Sequence, residues 1–168
     1  MPAELRAPVH LVVGEESLLV ERALEGILAS ELKEATPESV QTLRGDEVGW
    51  AGVLDAARTR SLFAPRRAVV VRGADALAVD EGEGPAPKAR KRGKAAAGLR
   101  EQLERYLDDP NPDVVLVLLA PKADRRLSTW KLLAARGREH LCGRPKGREL
   151  RDFVAPGLPR DAPALEAA

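Results

Sequence analysis

Three stretches of this sequence hold residue types that could do chemistry. The first is Val12-Val-Gly-Glu-Glu-Ser17, where a short apolar run ends at Gly14 and a helical pattern begins. A glycine between strand and helix is where backbone amides can wrap a phosphate, given a lysine to meet its charge and a Ser or Thr for magnesium. Here there is one glycine and no lysine, and Glu15 and Glu16 stand where the anion would approach. Two carboxylates repel a polyphosphate, so the stretch predicts no nucleotide and no other cofactor. The second is Thr59-Arg-Ser-Leu-Phe-Ala-Pro-Arg-Arg67, in which Leu62 and Phe63 are large apolar neighbours among Arg, Ser and Pro. Adjacent side chains cannot both continue the core-facing stripe of a preceding helix. They either fold back as a plug over the end of the core or stand out as a wedge for a partner's pocket. As a wedge, at roughly 1.5–3 kcal/mol for each buried side chain, the pair carries about two to four orders of magnitude in affinity. The third is Lys88-Ala-Arg-Lys-Arg-Gly-Lys94, five positive charges in seven residues. It reads either as a solvated loop or as a salt-sensitive, sequence-independent contact to DNA phosphates through Lys88, Arg90, Lys91, Arg92 and Lys94. Asp80, Glu81 and Glu83 partly offset its field.

Other constellations are weaker. His10, His140 and Cys142 are the whole stock of imidazole and thiol ligands, too few for a typical transition-metal site, so no metal is expected. Each histidine lies in a short apolar run and reads as a packed or edge residue. Glu15-Glu16 and Asp108-Asp109 are paired acids, but neighbours on a helix point apart and the second pair precedes Pro110, so both read as caps or turns. Ser17, Ser61 and Ser128 have no glycine elbow or histidine base beside them in sequence. No catalytic residue is predicted.

Composition narrows the class. Lys and Arg number 27 against 26 for Asp and Glu, a net charge of +1, which argues against a surface built as a whole for nucleic acid or an anionic membrane. Aromatics are 3% of 168 residues, few for a protein that stacks single-stranded bases. A single cysteine excludes an internal disulfide and fits a reducing cytoplasm. Met1 to Ala7 lacks the apolar stretch of a secretory signal, and no run of 18 apolar residues is present, so a cytoplasmic domain is expected, with no membrane partner.

The elements that must position these residues follow from periodicity. Val9–Val13, Val40–Leu43, Ala68–Val71, Val114–Leu119 and His140–Cys142 read as strands. Between them the pattern predicts helices over Ser17–Leu32, Val48–Thr59, Leu99–Leu107 and Arg126–Ala135, with another piece over Gly147–Val154. Leu18, Leu19, Ala23, Ile27 and Leu28 are the expected core face of the first helix; Trp50, Val53, Leu54 and Ala57 that of the second. Gly45-Asp-Glu47 reads as a turn and cap. From Asp80 to Gly98 there is almost no large apolar residue, which predicts a flexible insert. Alternating strands and helices predict an α/β fold: a parallel sheet of about five strands with helices on both faces.

Four segments in this order carry a likeness: Leu11-Val-Val-Gly-Glu-Glu-Ser-Leu-Leu19; Ser61-Leu-Phe-Ala64 with Arg66-Arg-Ala-Val-Val-Val71; Tyr106-Leu-Asp-Asp-Pro110; and Lys122-Ala-Asp-Arg-Arg126 leading to Trp130-Lys-Leu132. Over about residues 8 to 154 the chain resembles the N-terminal portion of the delta subunit of the bacterial DNA polymerase III clamp loader. The resemblance implies an AAA+/RecA-like fold, a degenerate nucleotide site, and a role in DNA replication at a nucleoid-associated replisome. It also implies that Leu62 and Phe63, flanked by Ser61 and Ala64, enter a pocket of the sliding clamp (the beta ring) and help to open it. Any polymerase activity would belong to the holoenzyme. The reading is thus a clamp-binding domain over 1–154 with a basic insert at 80–98. Residues 155–168 are a tail, or the start of a lid domain whose absence makes the chain a fragment or a short product. The alternative is a DNA-binding accessory domain acting through 88–94. Other loader subunits would be partners if the family's C-terminal domains were present, and contact with DNA could be indirect.

Overall fold

Val114–Ala120, seven residues without a charge, forms the central strand of the sheet, and all seven are buried. This is the signature of a parallel strand covered on both faces. The computed structural model describes residues 8–32, 36–60, 64–80 and 98–143. In chain order the elements are β1 (Val9–Val13), α1 (Ser17–Glu31), β2 (Val40–Arg44), α2 (Gly45–Arg58), β3 (Arg67–Arg72), a 3-10 helix (Ala74–Asp80), α3 (98–108), β4 (Val114–Ala120), α4 (Ser128–Arg136) and β5 (Arg138–Leu141). The sheet order is β2-β3-β4-β1-β5, and every pairing is parallel.

Because side chains alternate along a strand, the three inner strands β1, β3 and β4 feed two cores. Leu11, Val69, Val71, Leu116 and Leu118 pack with Trp50, Val53 and Leu54 of α2, Leu103 and Tyr106 of α3, and Trp130 and Leu133 of α4. Val12, Ala68, Val70, Val115 and Val117 pack on the opposite face against Leu24 and Ile27 of α1. The fold is therefore the expected α/β arrangement with helices on both faces, and Trp50, Val53, Leu54 and Ala57 are buried as the periodicity predicts.

Four local expectations are corrected. Leu18 is 59% exposed; it stands about 120° round the helix from Leu24, which is buried with the expected Ile27, while the expected Leu19, Ala23 and Leu28 pack partly buried against them. The turn at Gly45-Asp-Glu47 is helical, and the break falls at Gly49, whose φ of 59° lies in the region that favours glycine. The α4 helix begins at Ser128 and not Arg126, because the Asp124 carboxylate accepts the Arg126 amide at 3.0 Å and holds a turn there. The last strand is Arg138–Leu141, two residues earlier at its start than the apolar run suggests. It is an edge strand, fixed by pairing of His10 with Arg138 through Val13 with Leu141, and an edge tolerates polar side chains. No helix among the described residues is long and apolar enough to cross a membrane.

Candidate functional site

The segment joining α2 to β3 is held at both ends. On one side α2 closes with the Thr59 amide and hydroxyl donating to the Asp55 carbonyl at 3.0 and 2.7 Å, while Asn111 Nδ2 donates to the Arg58 carbonyl at 3.2 Å. On the other side the Arg67 amide donates to the Asp113 carbonyl at 2.8 Å. The Arg67 guanidinium reaches back across the gap to the Thr59 carbonyl at 2.8 Å, to the Ala56 carbonyl, and to Gln41 Oε1 at 3.0 Å. Arg66 points to the opposite face and donates to Glu31 Oε2 at 2.5 Å, with side chains 18% and 8% exposed. Ala64, a predicted flank of the partner contact, is half-buried. Ser61, Leu62 and Phe63 lie outside the described residues, as do Lys88, Arg90, Lys91, Arg92 and Lys94 of the basic run.

The Gly14 turn lies at the opposite end of the sheet, where the parallel strands end. A cleft of about 460 Å³ opens there between Val13, Gly14, Glu15, Glu16, Lys122 and Cys142. The Gly14 amide, which a phosphate would need, donates instead to the Ala120 carbonyl at 3.0 Å. Lys122 Nζ is 3.0 Å from Glu15 Oε1, so the lysine across the cleft is already paired with one of the two carboxylates. Cys142 sits against α1 with its Sγ 3.6 Å from the Leu19 carbonyl, and burial pushes its thiol pKa up, away from the reactive thiolate. Among the described residues no group of three or more His, Cys, Asp and Glu is arranged to hold a metal ion.

A buried polar chain escaped the sequence reading. His10 Nδ1 and His140 Nε2 are 3.0 Å apart with their rings stacked, His10 Nε2 is 3.5 Å from Glu31 Oε1, and Glu31 holds Arg66. Facing a carboxylate, His10 Nε2 must carry the proton, so Nδ1 accepts from His140 Nε2–H. Burial lowers the pKa of His10, with the Glu31 charge opposing and His140 adding to the fall. Burial and then the Arg138 charge lower that of His140. The two histidines are 130 positions apart. Only the pairing of β1 with β5 brings them together, so no local signal could have found the contact.

The described residues thus form an α/β domain on a five-stranded parallel sheet in the order β2-β3-β4-β1-β5. The family model for DNA polymerase III, delta subunit, matches residues 10–141, and the chain belongs to that family. Among solved structures, the chain is similar to the Bacillus subtilis DNA clamp loader delta protein, with a TM-score of 0.63 and 22% identity, over 88% of this chain and 41% of that one. It is also similar to a DNA polymerase III gamma subunit-related protein from Thermotoga maritima, with a TM-score of 0.54 and 18% identity, over 91% of this chain and 46% of that one. The chain thus spans less than half the length of either, and at these identities the likenesses establish the fold. A search of curated proteins finds no match.

Proposed function

We propose that this chain works in DNA replication as the clamp-contacting domain of a DNA polymerase III clamp loader. In this reading it binds the sliding clamp through Leu62 and Phe63, flanked by Ser61 and Ala64, and helps to open the ring. It does so beside other loader subunits at the cytoplasmic replisome, without ATPase activity of its own. The observation that carries the reading is the family match over residues 10–141, which encloses the apolar pair in its polar connection. Two features support it. The connection follows α2 and precedes β3 at the end of the sheet where the strands begin, opposite the end that carries the cleft beside Gly14. That cleft, in turn, has its amide bonded and its lysine paired.

The test is direct. Changing Leu62 and Phe63 together to Ala should weaken binding to the sliding clamp of the same organism by about two to four orders of magnitude, measured by calorimetry, while the circular dichroism spectrum stays unchanged. Collapse of the fold would instead identify the pair as core. Unchanged affinity would move the contact elsewhere.

A further inference from the structure

His10 and His140 share one face of the sheet. β5 pairs with β1 so that His140 stands beside Val12, two residues from His10, and alternate residues of a strand face the same way. Both imidazoles therefore lie on the side covered by α1, with His10 Nδ1 3.0 Å from His140 Nε2. A hydrogen bond between two imidazole nitrogens needs one donor and one acceptor. With His10 Nε2–H turned to Glu31 at 3.5 Å, His10 Nδ1 is the acceptor and His140 Nε2–H the donor. The nitrogen left to take a proton is Nδ1 of His140, on the ring that is only half-buried.

The order of protonation follows. A first proton on His140 Nδ1 leaves donor and acceptor between the rings as they were. A second has only His10 Nδ1 to go to, where it sets N–H against N–H and one positive ring against another. The surroundings decide which ring gives way. Glu31 on α1 attracts a charged His10, while Arg138 on β5 repels it; Glu31 is itself held by Arg66, just before β3, at 2.5 Å. Cys142, two residues beyond His140, is a neutral thiol against the Leu19 carbonyl. β4, the other neighbour of β1, carries no titratable side chain. His10, 2% exposed and facing a carboxylate, is the anchored ring. His140, on an edge strand with one neighbour, is the ring expelled.

We propose that the His10–His140 pair is an acid-operated latch on edge strand β5, shut with one proton bound and released from β1 by the second. The segment it frees is Arg138–Leu141 with Cys142, whose amide donates to the Val13 carbonyl at 2.7 Å and which lines the cleft beside Gly14. Acid thus loosens one wall of that cleft and bares the β1 edge, whose amides and carbonyls are then open to another strand. Burial holds both histidines below the ordinary 6.5, as a latch set against charging requires. The latch is independent of the clamp contact.

The intact chain supplies the test. Imidazole nitrogen-15 shifts followed from pH 8 to pH 5 should show His140 protonating first, and His10 only as β5 opens. Amide hydrogen exchange, corrected for its intrinsic pH dependence, should show β5 and Cys142 losing protection about tenfold per pH unit once His140 is charged, one proton of difference between shut and open. Low urea should leave that exchange unchanged, because freeing one short strand exposes little surface, while exchange in β4 follows the urea slope of global unfolding. His10→Gln keeps an acceptor for His140 and a donor for Glu31 but cannot take the second proton, so β5 protection should lose most of its pH dependence. If that variant does not fold, the shifts and the exchange of the parent decide alone. His10 protonating first, β5 opening at the first proton, β5 exchange with the urea slope of β4, or a parent-like pH dependence in folded His10→Gln overturns the latch.

Discussion

A methyl group on Gly14 would sit 2.1 Å from the Cys142 carbonyl oxygen and 2.6 Å from its Cβ. The residue is glycine because the chain leaving β5 crosses directly over the end of β1, a packing demand that needs no phosphate. Gly14→Ala should destabilise the domain by about 1–3 kcal/mol, the usual cost of forcing extra atoms into a packed site, which thermal melting would register. A melting temperature equal to the parent's would show that the two chain ends can separate at no cost. Tyr106 makes the opposite case. Its hydroxyl is buried and has no hydrogen-bond partner among the described residues, and burial pushes its pKa up to about 12. The ring supplies the packing and the oxygen only a desolvation cost, so Tyr106→Phe should leave stability unchanged or raise it by up to about 1 kcal/mol. A clear loss in denaturant unfolding would mean the hydroxyl has an acceptor after all. Neither role could be read from residue type: Gly14 looks like a phosphate loop, and Tyr106 like any core aromatic.

At the scale of elements, legibility tracked how local the cause was. Val114–Ala120 was plain because a central strand writes an uninterrupted apolar run, and α2 because Trp50, Val53, Leu54 and Ala57 recur at helical spacing. The 3-10 helix Ala74–Asp80 had no such period; Ala74 and Leu77 pack in the core with α2 and the sheet, and the Ala76 amide donates to the Gly73 carbonyl at 3.1 Å. The bounds of β5 and the contact of His10 with His140 depend on strand pairing across most of the chain. That contact has a measurable consequence. Both imidazoles have folded pKa values below the ordinary 6.5, so below about pH 6.5 the unfolded chain binds more protons than the folded one. Stability is then full above that pH and falls as the pH drops through 6.5 toward the folded values, by at most about 1.4 kcal/mol per pH unit for each proton of difference. The groups facing the pair are Glu31 on α1, which favours the charged form, and Arg138 on β5, which opposes it. The exposed carboxylates of Glu21, Asp46 and Asp124 have pKa values below their usual range, held there by Arg72, Arg44 and Arg126, so they titrate in a more acid window. Denaturant midpoints should therefore decline from pH 7 to pH 5 in the parent and stay nearly flat with both histidines changed to Gln. A parent as stable at pH 5 as at pH 8 would refute the assignment.

For the molecule as a whole, a parallel sheet has two unlike ends, one where every strand begins and one where every strand finishes. Where the strands end, the Gly14 amide donates to the Ala120 carbonyl, Lys122 is paired with Glu15, and Cys142 is packed against α1. Glu15 and Glu16 add negative charge where a triphosphate would bring more, and like charges in a cleft repel. Where the strands begin, Arg66 is paired with Glu31 and Arg67 donates to the Thr59 carbonyl. A net charge of +1 gives the chain no long-range attraction strong enough to draw a polyanion against that local repulsion. ATP with magnesium, titrated by equilibrium dialysis to about 1 mM, a concentration at which even a 1 mM dissociation constant gives half-occupancy, should show no saturable binding, and clamp affinity should be identical with and without it. Micromolar binding would mean that the Lys122–Glu15 pair opens and the Gly14 amide leaves its carbonyl on demand.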